Sequence, residues 1–197
     1  VLLQLAAARV TVRQNIAGEA RDDLRFQGTA PAATIVGVDA VRELRSRLLL
    51  YRSLMMLGAG EHALDLAVTH ITDRSQFGSP LSKRQGVQHY IAEMFGALAV
   101  TRSACDAAML ALAGGCDPAI HAASLATRVE ADRMASIVAR LAHQLHGAIG
   151  FTEEHVLHFS TRRLTAWRQD DISETEAAIE LARLAPTFGG PWGVMTA

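Results

Sequence analysis

The stretch Asp73-Arg74-Ser75-Gln76-Phe77-Gly78-Ser79-Pro80-Leu81 divides the 197-residue chain. It is a polar elbow holding a glycine and a proline, with apolar residues at helical spacing on both sides. Two readings are open at this point. A basic residue, an amide, an aromatic ring and a glycine in so few positions suit a loop that grips a planar, phosphorylated ligand. The same residues also suit a plain connector between helices, with a Gly stop and a Pro start.

Working outward, the residues before and after the elbow are helical in pattern. From Val38 onward, Val41, Leu44, Leu48, Tyr51, Met55 and Gly58, followed by Leu64, Val68 and Ile71, predict a long stripe that ends at the elbow. Gly58 and Gly60 each cost such a helix up to about 1 kcal/mol relative to Ala, and are read as allowing close helix approach. Beyond the elbow, Pro80 marks a helix start, and Val87, Ile91, Met94, Phe95 and Leu98 form the next stripe. Gly114-Gly115 should stop that helix. Asp117-Pro118 then opens a third, through Leu125, Val129, Met134, Val138 and Leu141 to Gly147. A fourth fits Ser173 to Leu184, with Ser173 as cap and Glu176 in the capping-box position. Short loops and up-and-down connectivity predict a mainly α chain built as an antiparallel four-helix bundle. The methionines on these stripes, Met55, Met56, Met94, Met109 and Met134, are expected as core filler.

Residues 1–36 have a different texture. Val10-Thr11-Val12 and Leu24-Arg25-Phe26 alternate around a polar turn and predict a hairpin or two edge strands. So few strand residues build no independent sheet. The expected organisation is therefore 1–36 as the tail of a β domain and a linker, 37–185 as the helical bundle, and 186–197 as a Gly/Pro-rich tail. The chain opens at Val1 in mid-pattern, as a fragment or a processed product would, or as a chain whose other strands are supplied elsewhere.

Composition narrows the function. Half the residues are hydrophobic, a fifth are charged, and the formal net charge is −1, so nothing draws the chain to nucleic acid. No apolar run reaches membrane-spanning length free of a charge or a helix breaker. The eight histidines and two cysteines fall in no metal-ligand spacing, so no metal is expected. Two well-separated cysteines, without a basic apolar leader, suggest a reducing, cytoplasmic setting.

A second stretch, His143-Gln144-Leu145-His146-Gly147-Ala148-Ile149-Gly150-Phe151-Thr152, joins a helix end to a small-residue turn. Taken with Arg-x-Gln-Phe-Gly-x-Pro-Leu and Gln85-x-x-Gln88, it resembles the acyl-CoA dehydrogenase family. The resemblance covers roughly residues 35–185, that family's C-terminal helical domain, in the manner of divergent bacterial members. It implies FAD as cofactor and α,β-dehydrogenation of an acyl-CoA thioester. It further implies a homodimer or a homo- or heterotetramer, with an electron-transferring flavoprotein as acceptor.

By the same resemblance, Arg74, Gln76, Phe77 and Gln85 would hold the ADP part of FAD from an adjacent subunit. Gln144, Gly147 and Ala148 would let the backbone approach it, Ala148 standing where the family usually has a second glycine. Ser173 and Thr175 would touch the flavin nucleotide of their own subunit. The family's Glu-Gly-Thr becomes Asp171-Ile172-Ser173, which makes Asp171 the candidate base and Asp170 its adjacent contender. Acidic residues there also fit plain capping of the last helix. The substrate-anchoring Asp and Arg of the first long helix would fall near Ser46 and Leu49, so that anchor is missing, with Arg52 as a substitute or a surface charge. Three functions follow: a dehydrogenase or its C-terminal portion, a non-catalytic partner completing another subunit's FAD site, or a helical interaction module without ligand.

Overall fold

The computed structural model describes residues 3–34, 37–76, 78–114, 117–190 and 193. The elements run β1 (Arg9–Thr11), β2 (Asp23–Arg25), α1 (Val38–Asp73), β3 (Ser75–Gln76), β4 (Ser79–Pro80), α2 (Gln85–Gly114), α3 (Asp117–His146), α4 (Leu157–Trp167) and α5 (Glu174–Leu184). The architecture is mainly α. The three long helices α1, α2 and α3 pack with α5 as a bundle, and α4 is a further short helix that the sequence stripes did not reveal. β1 and β2 pair antiparallel with Val10 opposite Leu24, and every residue of both strands is exposed.

The centre of the bundle is α3. Leu125, Val129, Met134, Val138 and Leu141 are all buried, as its stripe predicts. Met134, Val138 and Leu141 meet Leu57, Ala63, Ala67 and Ile71 of α1, Met94 and Leu98 of α2, and Leu164 and Trp167 of α4. A second patch of core joins Leu49, Ile172 and Ala177, seating α5.

The stripe expected on α1 is corrected. Val41, Leu44, Leu48, Tyr51 and Val68 are exposed, and the buried face instead carries Leu49, Leu50, Met56, Leu57, Ala63 and Ala67. This helix is apolar on two sides, so its amphipathic signal is weak and the small residues on the inner face were passed over. The two glycines separate likewise. A Cβ on Gly60 would lie 2.7 Å from Met134 Sδ and 2.9 Å from Leu98 Cδ2, whereas one on Gly58 would meet nothing within 4 Å. Only Gly60 is a close-approach residue. Of the five methionines, Met109 departs from the core and is exposed.

Two element boundaries also move. Pro80 lies in β4 and is followed by a 3₁₀ turn, Leu81–Lys83, so α2 starts at Gln85. After α5, Ala185–Phe188 form another 3₁₀ turn closed by Gly189 at φ +76°. The start of α5 matches its sequence signature. The Ser173 hydroxyl accepts from Glu176 N–H, and Glu176 accepts from Ser173 N–H at 3.0 Å, a complete capping box.

By length and composition α2 is apolar enough to cross a membrane, and little of its most apolar stretch is buried. Ion pairs nevertheless tie it into the bundle, Glu93 to Arg140 of α3 and Arg102 to Glu61 of α1.

Candidate functional site

The elbow is a built structure. Arg74 N–H donates to His70 O at the end of α1, and Leu81 N–H donates back to Arg74 O, both at 2.9 Å. Between them, Ser75 pairs with Pro80 and Gln76 with Ser79, and Gly78 turns at φ +82°, where glycine escapes the penalty other residues meet. Phe77 lies outside the described residues. At the facing end of α3, Gly147 has φ +61° and a 3₁₀ turn, Gly147–Phe151, leads away.

These two ends frame one cavity of about 550 Å³. Arg74 and Gln76 line it from the elbow, and Gln144, Gly147 and Ala148 from the end of α3. Five of the residues singled out in the sequence are thus brought together by helices that end side by side. Gln85 opens α2, is exposed, and stands apart from that lining. A Cβ on Gly147 would meet no protein atom within 4 Å, so this glycine serves its backbone conformation and leaves open space beside it. Close packing is instead the role of Gly150, where a Cβ would fall 2.8 Å from His146 Cβ.

Histidines border the same cavity. The rings of His70 and His146 stack with centroids 4.6 Å apart, and His155 meets His146 edge-on at 4.6 Å. His146 Nδ1 lies 2.7 Å from Ala142 O, so it carries the proton, and its buried Nε2 is an acceptor with no hydrogen-bond partner. Burial, reinforced by the neighbouring imidazoles, holds the His146 pKa below its ordinary 6.5. Burial does the same to His70. Sequence reading passed these three over because they lie far apart along the chain and follow no ligand spacing.

The acidic pair lies elsewhere, just beyond α4. Asp170 is held on both oxygens: Arg21 Nε donates to Oδ1 at 3.3 Å, and Arg21 Nη2 stands 2.5 Å from Oδ2. Arg52 Nη2 is 3.3 Å from the same Oδ2. Asp171 makes only a long contact, 3.9 Å from Arg52 Nε, and its side chain is 45% exposed. It borders a hollow of about 370 Å³ shared with Arg45, Glu180 and Arg183. Arg52 is therefore not a free surface charge. It is a half-buried partner of the acidic pair, with its guanidinium 5.7 Å from the Trp167 ring centre.

Ser173 and Thr175 line a third hollow of about 350 Å³, with Asp132 and Arg168. The Ser173 hydroxyl is already engaged with Glu176 at 2.7 Å. At the positions of the missing anchor, Ser46 is buried against His121 Nδ1 at 2.8 Å, and Leu49 belongs to the core. Among the described residues, no group of three or more His, Cys, Asp or Glu side chains is placed to hold a metal ion.

Comparison with known proteins bears on the family and the fold. Residues 44–185 match the family model described as acyl-CoA dehydrogenase, C-terminal domain. The chain is 30% identical over 156 residues to acryloyl-CoA reductase (NADH) of Anaerotignum propionicum, covering 76% of this chain and 39% of that protein. It is 30% identical over 173 residues to 3-sulfinopropanoyl-CoA desulfinase of Paraburkholderia xenovorans, covering 86% and 43%. Among solved structures, the ChsE4-ChsE5 complex from Mycobacterium tuberculosis superposes with a TM-score of 0.82 at 21% identity, over 90% of this chain and 48% of that one. The chain spans less than half the length of each of these relatives. With the family model matching most of its length, the chain belongs to the acyl-CoA dehydrogenase family, as that family's C-terminal helical domain.

Proposed function

We propose that the chain supplies the C-terminal part of an FAD-dependent acyl-CoA dehydrogenase-like enzyme, in which Asp171 takes the α-proton of an acyl-CoA thioester. The observation that carries this reading is the division of labour between adjacent carboxylates. Asp170 is saturated by Arg21 and Arg52, whereas Asp171 faces an open hollow. A general base must reach its proton, and only the second carboxylate has that freedom.

The cavity between the elbow and α3 suits the ADP half of FAD. Its volume lies in the range of cofactor pockets. Arg74 offers a donor fork for phosphate oxygens, and Gln76 and Gln144 offer amides. Ser173 and Thr175 would meet flavin on the other side of the bundle. Bound flavin would supply the acceptor for the β-hydride, while Asp171 holds the α-proton. Two separate binding regions favour a cofactor shared between subunits, each lending one region to the other. The exposed apolar residues Phe95, Val100 and Leu110 of α2, with Val41, Leu44 and Tyr51 of α1, give such partners surface to bury. An electron-transferring flavoprotein would reoxidise the flavin. Cys105 is a free thiol, in keeping with a reducing, cytoplasmic setting.

Ser46 and Leu49 favour a second reading. With no charged anchor at those positions, the chain would serve as the partner that completes another subunit's FAD site. The test is flavin content. Full-length protein, purified with its natural partner, should show a flavin spectrum that weakens in Arg74→Ala and Gln144→Ala. A preparation that never binds flavin, or variants that bind it as wild type does, would overturn the cofactor assignment.

A further inference from the structure

Arg128 is a charged residue in the middle of the apolar face of α3, between Leu125 and Val129, and it is wholly buried. Burying a guanidinium is costly unless its donors are used and its charge is matched. The match is Asp132 one turn on, 3.3 Å from Nη2 and itself buried. Burial pushes the Asp132 carboxyl up to about 6, against the opposing pull of Arg128 and Arg168.

The donors are used unevenly: Nε has no hydrogen-bond partner, and the two hydrogens of Nη2 are shared among three carbonyl oxygens. Arg128 Nη2 lies 2.9 Å from Trp167 O, 3.0 Å from Arg168 O and 3.1 Å from Asp170 O. The first two are carbonyls at the C-terminal end of α4, where a cation meets the negative end of the helix dipole, and Trp167 O also accepts from Asp170 N–H at 3.3 Å. The third lies beyond the helix, in the segment that carries the acidic pair.

Asp170 O also accepts from Ile172 N–H at 2.8 Å. That bond closes a γ-turn around Asp171, whose φ is +65°, the one positive φ at a non-glycine among the described residues. Such a conformation persists only where its surroundings fix it. Fully buried Arg128 fixes one side of that turn, and the core side chain of Ile172 fixes the other. Arg21 and Arg52 reach the same segment through the side chain of Asp170, and Arg52 Nε also stands 3.9 Å from an Asp171 carboxylate oxygen.

We propose that Arg128 is a positioning residue: by gripping the Asp170 carbonyl it locks the strained turn at Asp171 and sets the aim of that carboxylate. The inference rests on Asp171 being the base, and it adds that proton transfer depends on a residue that touches no reactant. A misplacement of about 1 Å is enough to cost roughly a hundredfold in rate, so loosening this turn should be felt in chemistry before binding.

The test uses full-length, flavin-loaded protein and a panel of straight-chain acyl-CoA thioesters, protonated and α-deuterated, with an artificial electron acceptor. Arg128→Lys keeps the charge but loses the planar donor fork. The double variant Arg128→Gln, Asp132→Asn replaces the buried ion pair by neutral amides of similar size, an exchange that buried pairs often tolerate. In both, kcat per flavin should fall about tenfold or more with KM little changed, the α-deuterium isotope effect should rise, and the Ile172 amide should exchange faster. A merely structural role would lower thermal stability and leave kcat and the isotope effect at wild-type values, which would overturn the inference. Should neither variant fold, exchange at Ile172 in the wild-type protein decides. Protection well beyond that of the exposed residues around it supports a locked turn, and rapid exchange contradicts it. Asp171→Asn separates the two levels. Retained turnover there removes the base reading and this inference together, whereas lost turnover beside a wild-type double variant removes the role of Arg128 alone.

Discussion

Arg21 and Asp170 join the segment after β1 to the end of α4, with Arg21 Nε and Nη2 3.3 and 2.5 Å from the two carboxylate oxygens. Glu19, two residues earlier, adds a bond from Trp167 Nε1 at 2.8 Å. The N-terminal segment is thus fastened to the bundle at the acidic pair. Asp170→Asn should lower stability by about 1 kcal/mol, since the pair is partly exposed and screened. Thermal denaturation checks this. Turnover per flavin should stay within about tenfold of wild type, as the proposal that Asp171 and not Asp170 is the base requires.

Gly58 and Gly60 lie two residues apart on α1 and should respond with opposite signs. Gly58→Ala adds a methyl to an exposed helical position with open space around it, and should stabilise by up to about 1 kcal/mol. Gly60→Ala drives a methyl into Met134 Sδ and Leu98 Cδ2, and should destabilise by roughly 1–3 kcal/mol as α1, α2 and α3 are forced apart. Paired melting temperatures of the two variants measure the difference.

Stability should fall with acid through the stacked imidazoles. His70 and His146 have folded pKa values held below 6.5, chiefly by burial, so the unfolded chain takes up their protons first as pH drops. Their contribution is complete above pH 6.5 and is lost as pH falls below it. The melting temperature of wild type should therefore decline below that pH, and His146→Gln should flatten the decline. An equal slope in the variant would contradict it.

How much of this was legible in the sequence differs by element. α3 is buried on nearly every side, so its apolar stripe from Leu125 through Leu141 had to fall in the core and read correctly. α1 is apolar on two sides, and its larger residues, Leu44, Leu48 and Tyr51, drew the reading to the outer face. α4 went unread because Leu157 to Trp167 mixes His, Ser, Thr and Arg with few aliphatics, and its helical state depends on packing against α1 and α3. The elbow and the end of α3 carried their own signal, in Arg74, Gln76, Gln144 and Gly147. The histidine stack and the grip of Arg128 on Asp170 are contacts between distant segments, which no local pattern encodes. A lone arginine inside the best apolar stripe of the chain was the one hint available.

The central claim is that Asp171 is the base. The most direct test compares Asp171→Asn with wild type in flavin-loaded, full-length protein, scoring turnover per flavin. The account predicts retained flavin and a loss of roughly 10²- to 10⁴-fold in turnover, the usual worth of a positioned base. Turnover within about threefold of wild type, with flavin still bound, would contradict it.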